Sequence, residues 1–427
     1  MSATLITMLA AHRAPAADVD VTRLRRERNA RLQAELARRD IEAAVLLHGA
    51  NVGYATGLPT RAVDMAHASF ERPVAVVVAG EDRPHLLWDG GGAVVGPGGD
   101  GGGGLDGLAV ERHPAVWPEL DEGAERLRAV LADLVGDLAG RRIAVDVQTG
   151  AMLRAGVLDG ADLVDAAPPM GAAKLTKTAD ELACIAEAQR RNEVAMVPAQ
   201  RALRPGATRS AVAGAFLAGL REVGVEACMI DPIFQPMPRS VAEGPRTTTG
   251  DVAFPTGVGD PVFAEGDLVW VDAGVDHLGY ASDFGRTWIV GRDPDPAERR
   301  LFARWCDVMT AVLDVVGPGV TAGALGRAAT EAGGVLGTGT AGGRPWLPHF
   351  YLGHGVGVES AEMPFVGTDL GTEFDDAFVL APGMVLVLEP VAWEDGTGGY
   401  RSEEIIAVTD DGWRHLGGGH GYEPFAA

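Results

Sequence analysis

The sequence predicts an α+β protein of two domains, an α/β unit at the N-terminus and a larger C-terminal unit built mainly of antiparallel strands with helices between them. Three observations carry this. The chain has 427 residues, more than one domain of roughly 100 to 200 residues accounts for. Its composition, 47% hydrophobic and 22% charged, is that of a soluble globular protein able to bury a large core. Beyond residue 225 the texture changes from alternating helical and apolar segments to short β-branched runs punctuated by Gly, Pro and Asp.

Residues 1–20 are expected to be an N-terminal tail: the apolar start lacks a basic region and is closed early by His12 and Arg13, unlike a secretory leader. The first domain, residues 21–172, opens with a charged helical pattern over 21–39 and an apolar strand over 41–47 (IEAAVLL). Further strands are expected at 73–78 and 142–147, separated by the glycine-dense stretch 89–108, which carries too little side chain to pack. The second domain, residues 173–427, begins with a long amphipathic helix over 178–203, started by Thr178 or Asp180 and ended by Pro205 and Gly206. A second helix is expected over 210–223. Strands follow at 268–271, 287–290, 384–388 and 405–408, interrupted by helices over 297–316 and 322–332.

The formal net charge of −23 argues against nucleic acid or an anionic membrane as partner, since both demand clustered Lys and Arg. Lys174 and Lys177 are the only lysines, so nearly all positive charge is Arg. The apolar run 378–393 is broken by Pro382, Gly383, Glu389 and Pro390 and falls short of the roughly 18 uninterrupted residues a membrane span needs. Cys184, Cys228 and Cys306 stand in no metal or redox spacing, and their odd number cannot form a disulfide framework. A soluble, cytoplasmic protein is expected.

Four acids and one histidine lie in or beside apolar strands, where an unpaired carboxylate is costly. Asp272 closes LVWVDAG, Asp283 lies in GYASDFGRTW, His354 in LGHGVGVE, Glu389 after MVLVL, and Glu403 in SEEIIAVT. Singly each is unremarkable in type: acids at strand ends usually meet solvent, and a histidine in a glycine-rich loop is more often structural than a ligand. Together they suit one or two divalent ions, and bridging carboxylates can hold two metals roughly 3.5 Å apart around an activated water.

These phrases, VDAGVDHLGYASDFGRT, GHGVGVE, VLEP and RSEEIIAVTDDG, resemble the pita-bread metallopeptidases, the family of aminopeptidase P, prolidase, methionine aminopeptidase and the non-peptidase creatinase. The resemblance spans most of the chain and matches the five metal ligands in order. Glu403 rather than Glu404 is the match, because it stands six residues before Thr409. NVGYATG (51–57) resembles the family's N-terminal domain. The resemblance implies a pita-bread (creatinase/aminopeptidase) fold over the C-terminal domain. It also implies two divalent ions (manganese, iron, cobalt or zinc) and a homodimer in which the first domain reaches a neighbour's cleft. Arg61 and Arg72 would then clamp a substrate carboxylate, although on an acidic protein such arginines are more often solvated.

The departures bear on substrate. The family's peptidases carry one histidine seven residues after the ligand histidine and another seventeen before the first aspartate; here those places hold Ala361 and Pro255. Imidazoles there hold the scissile carbonyl and move protons. His349, Glu362 or water could stand in for them. Glu362 matches the glutamate of the family's HE pair, Arg401 matches the arginine before the final ligand, and Tyr280 and Arg286 match structural positions. The expected activity is a metal-dependent hydrolase cleaving a C–N bond of a small amino-acid-like substrate. A metal-bound hydroxide held by Asp283 and Glu403 would be the nucleophile and Glu389 the proton shuttle. The alternatives are an Xaa-Pro aminopeptidase or dipeptidase, a lyase on a small sulfonium or amino-acid-like compound, and an inactive binding module. The lyase branch has a DxD that differs from Asp272-Ala273-Gly274, and intact ligands argue against the inactive module.

Overall fold

The computed structural model describes residues 2–58, 72–88, 109–225, 228–237, 239, 259–333, 340–341, 344–345, 350–368, 372–394 and 396–425. The chain divides into two compact units, Val19–Asp180 and a second that joins Met1–Asp18 to Glu181–Ala427. The start differs from the sequence expectation: instead of a tail, Ser2–Ala11 forms a helix, α1. Leu5 and Leu9, one turn apart, are buried, and α1 packs on the helix Pro296–Val315 of its own unit. A helix this short is set by such packing rather than by propensity.

The first unit contains α2 (Val21–Arg38), β1 (Ala43–Leu46), α3 (Gly49–Thr56), β2 (Val74–Val78), β3 (His85–Leu87) and β4 (Glu111–His113). It continues with α4 (Asp121–Val135), β5 (Arg142–Val145), α5 (Gly150–Arg154), β6 (Asp162–Asp165) and α6 (Ala167–Leu175). The Asp20 carboxylate caps α2 by accepting from the Arg23 amide. The six strands form one mixed sheet in the order β4-β3-β2-β1-β5-β6. Val45, Val76 and Ile143 from its centre pack with Leu127 and Leu131 of α4 in a single apolar core. The glycine-dense stretch 89–108 lies outside the described residues, as does Arg61.

The second unit opens with α7 (Ala179–Ala202) and α8 (Arg209–Glu222), followed by β7 (Cys228–Pro236), β8 (Leu268–His277), β9 (Tyr280–Ala281) and β10 (Phe284–Ile289). Next come α9 (Pro296–Val315), α10 (Ala322–Glu331), β11 (Thr340–Ala341), β12 (Arg344–Pro345), β13 (Phe350–Gly355), β14 (Glu362–Thr368) and α11 (Thr372–Ala377). It ends with β15 (Val385–Leu388), β16 (Val391–Glu394), β17 (Gly398–Arg401), β18 (Glu404–Thr409) and β19 (Gly412–His415). The α9 helix begins where Asp295 and Glu298 form a reciprocal capping box with Pro296 at the first turn. Two antiparallel sheets matter for the site. One runs β10-β8-β7 with β9 on β8, and the other β14-β13-β15-β18-β19. Met196 and Phe216 of α7 and α8 share a core with Val269, Val271, Phe284 and Trp288 of the first of these sheets. Backbone bonds from the Ala281 amide to the Gly357 carbonyl, 2.7 Å, and from the Glu403 amide to the Gly285 carbonyl, 3.0 Å, join the two.

Candidate metal centre

The register of the two sheets explains why five residues scattered over the sequence converge. In the β8–β10 pair Asp272 lies opposite Gly285, so Asp283, two residues back on the same face, is its diagonal neighbour. In the other sheet His354 lies opposite Val387, and Leu388 lies opposite Glu404. Glu389 and Glu403 therefore emerge side by side at one end of β15 and β18, next to His354. The junction at Gly285 brings the two groups face to face. A Cβ at Gly285 would overlap the Glu403 carboxylate, so glycine is what lets that acid lie against β10.

One oxygen from each of Asp272, Asp283 and Glu403 lies within 4.8 Å of the others, and all three acids are buried. His354 Nε2 is 3.4 Å from Asp283 Oδ2 and 3.5 Å from Glu389 Oε1. Its Nδ1 is 2.9 Å from the Gly355 carbonyl; a carbonyl only accepts, so Nδ1 carries the proton and the Nε2 lone pair faces the acids. Arg401 Nη2 bonds Glu389 and lies 3.5 Å from Glu403 Oε1, while its guanidinium stacks 4.4 Å above the Trp270 ring.

The electrostatics are those of buried acids crowded together, whose mutual repulsion a cation would offset. Burial, then the Glu403 charge and the other aspartate, raise the carboxyl of Asp272 well above the usual range. Burial and the Glu403 charge do the same to Asp283. Glu403 is raised by burial against the opposing pull of Arg401 and His354, and burial lowers the His354 pKa, favouring neutral imidazole. Asp272 Oδ1, Asp283 Oδ1 and Glu403 Oε2 are buried with no hydrogen-bond partner among the described residues. Each such oxygen costs on the order of 1–3 kcal/mol or more, and a divalent ion would remove that cost. The residues present therefore fit the metal the sequence implied, with four carboxylates and one imidazole as donors.

The other expected site residues have mixed placements. Glu362 is buried, and its carboxylate lies where a side chain on Gly357 would be. Ala361 is exposed. Tyr280 donates to Glu181 at 2.8 Å. Arg72 is ion-paired with Glu119 of its own unit at 2.8 Å. His349 and Pro255 lie outside the described residues. Sequence reasoning missed Gly285, Trp270 and Thr287, whose hydroxyl donates to the Arg401 carbonyl at 2.6 Å and accepts from the Arg401 amide at 2.9 Å. Among these only Gly285 left a signal, as a glycine interrupting an otherwise bulky strand.

Fold and site together define a pita-bread hydrolase that depends on metal. Residues 183–410 match metallopeptidase family M24 and residues 28–172 match the creatinase/prolidase N-terminal domain, and the chain belongs to family M24. The uncharacterized peptidase YqhT of Bacillus subtilis is 30% identical over 267 residues, 61% of this chain and 67% of that protein. An Xaa-Pro dipeptidase of Pyrococcus furiosus is 29% identical over 244 residues, 57% of this chain and 63% of that enzyme. The match thus spans about two thirds of the length of these curated relatives. Among solved structures, the X-Pro aminopeptidase of Thermotoga maritima aligns with a TM-score of 0.69 at 19% identity, covering 91% of this chain and 97% of that one.

Proposed function

We propose that the protein is a divalent-metal hydrolase with a dinuclear centre held by Asp272, Asp283, His354, Glu389 and Glu403, and that it cleaves a C–N bond of a small amino-acid-like compound. The observation that carries this is the buried triad of Asp272, Asp283 and Glu403 with an unpartnered oxygen on each acid. Ions bound there supply Lewis acidity, lowering the pKa of water and polarising a substrate oxygen. The chain's own residues do the rest. Glu389 takes and returns the proton, since its carboxylate is buried and anchored by Arg401. Arg401, turned into the ligand cluster, holds Glu389 and offsets charge, with any substrate contact made from the same guanidinium. His354, fixed by Gly355, stays neutral.

Substrate class follows from Ala361, whose methyl group donates no proton to a scissile carbonyl or leaving amine. A substrate of this enzyme is expected to carry its own activation. A substrate carboxylate would be clamped by Arg61 and Arg72 from a neighbouring subunit of a cytoplasmic homodimer, Arg72 exchanging Glu119 for it. The second reading, an Xaa-Pro dipeptidase or aminopeptidase in which His349 or Glu362 replaces the missing imidazoles, is favoured by the Pyrococcus relative. Steady-state assays on Xaa-Pro dipeptides and tripeptides with manganese, cobalt, iron or zinc separate the two. The first reading expects kcat/KM well below the roughly 10⁴ M⁻¹s⁻¹ at the low end for enzymes on their own substrates; efficient proline-specific cleavage would establish the second.

A further inference from the structure

The metal ligands come from two sheets, and their spacing depends on what holds those sheets together behind the ligand face. Along β10, Asp283, Gly285 and Thr287 point toward the ligands, so Phe284, Arg286 and Trp288 point away. Glu404 likewise points away from Glu403. On that hidden side Arg286 Nη1 donates to the Glu403 carbonyl at 2.6 Å and to the Gly285 carbonyl at 2.8 Å. Its Nη2 donates to Glu404 Oε1 at 3.0 Å and to the His420 carbonyl at 3.3 Å. The guanidinium lies 4.8 Å from the Phe284 ring and 4.7 Å from the Tyr422 ring. Glu404 is bound in turn by Tyr422, which donates to Oε1, and by His415 Nε2 at 2.6 Å from Oε2. Arg286, Glu404 and His415 are all at least nine-tenths buried.

We propose that Arg286 is a positioning residue for the metal centre, and that the C-terminal segment carrying His415, His420 and Tyr422 locks it in place through Glu404. One planar cation grips the carbonyl of a ligand, Glu403, and that of Gly285, the residue paired with the ligand Asp272. It thereby fixes the separation between ligands of the two sheets. Simple structural support would need no such convergence, since a buried ion pair is often no more stabilising than an apolar pair of the same volume. A fork of fixed geometry is what a lysine cannot reproduce. Outer residues that orient metal ligands typically change affinity 10–100-fold when altered.

The inference rests on the metal-centre reading, and the experiment separates the two. Wild type, Asp272→Asn, Arg286→Lys and Tyr422→Phe are stripped with chelator, checked for folding by circular dichroism, and titrated with Co²⁺ while its visible absorption is followed. Arg286→Lys keeps the charge facing Glu404 and is expected to stay folded, to bind Co²⁺ about 10–100-fold more weakly, and to show altered band intensity. A purely structural role would leave that spectrum unchanged. Wild-type affinity and spectrum in folded Arg286→Lys overturn the proposal. Should that variant fail to fold, Tyr422→Phe decides: about threefold weaker binding supports the role of the C-terminal lock, and wild-type affinity overturns it. If Asp272→Asn binds Co²⁺ as wild type does, the metal-centre reading itself fails. If only Asp272→Asn loses the metal, the positioning role alone is wrong.

Discussion

His354 and Gly285 do opposite kinds of work at the same centre. The imidazole is useful because one nitrogen is committed to the Gly355 carbonyl at 2.9 Å, which fixes the tautomer and aims the other nitrogen at the acids. Gly285 is useful because it has nothing to offer but space for Glu403. Gly285→Ala is therefore expected to keep the fold, push the Glu403 carboxylate aside and weaken metal affinity by an order of magnitude or more, measured by competition with a chromogenic chelator. Unchanged affinity would mean the carboxylate has another resting place. Residue by residue, the five proposed ligands stood out in the sequence because each lies in or beside an apolar strand, where a charge demands a reason. Arg286 was matched only to a structural position and Glu404 only passed over in favour of Glu403, because their partners are joined to them by the fold and not by the local pattern. That face is buried by α7 and α8, which pack on Phe284 and Trp288, and by the C-terminal segment that brings His415, His420 and Tyr422 onto Arg286 and Glu404.

Elements follow the same division between local and distant causes. Capped helices such as α9, and strands with continuous apolar runs such as β15 and β18, were readable from the chain alone. β13 and β14 were not, because FYLGHG and EMPFVGT mix glycine and proline into segments that only cross-strand pairing holds. α1 was taken for a tail for a similar reason, as its stability lies in contacts with α9. Leu5→Ala, at a side chain with no exposed surface, is expected to cost about 2–5 kcal/mol in urea unfolding, whereas a free tail would give no change. The start of α9 also sets a pH response. Burial raises the Glu298 carboxyl pKa, but hydrogen bonds from Arg292 and the Asp295 amide outweigh it, and the net shift is downward. A depressed folded-state pKa adds stability that is present above the unfolded value near 4.5 and is lost as pH falls through the folded value. Glu298→Gln is expected to lower stability at pH 7 and to flatten its decline below pH 4.5; parallel pH curves for variant and wild type would contradict this.

At the scale of the molecule, two units divide the labour between a mixed-sheet domain and a domain that carries every proposed metal ligand. Among the described residues no helix is long and apolar enough to cross a membrane. Light scattering is expected to give twice the chain mass of 44.4 kDa, and a monomer at micromolar concentration would remove Arg61 and Arg72 from the proposed substrate clamp. The central claim is that four buried carboxylates and one imidazole form a metal centre, and elemental analysis tests it most directly. After saturation with manganese and exhaustive dialysis, wild type is expected to retain about two ions per chain, with His354→Ala and Glu403→Ala each losing at least one. Metal content in both variants equal to that of the wild type would contradict the account.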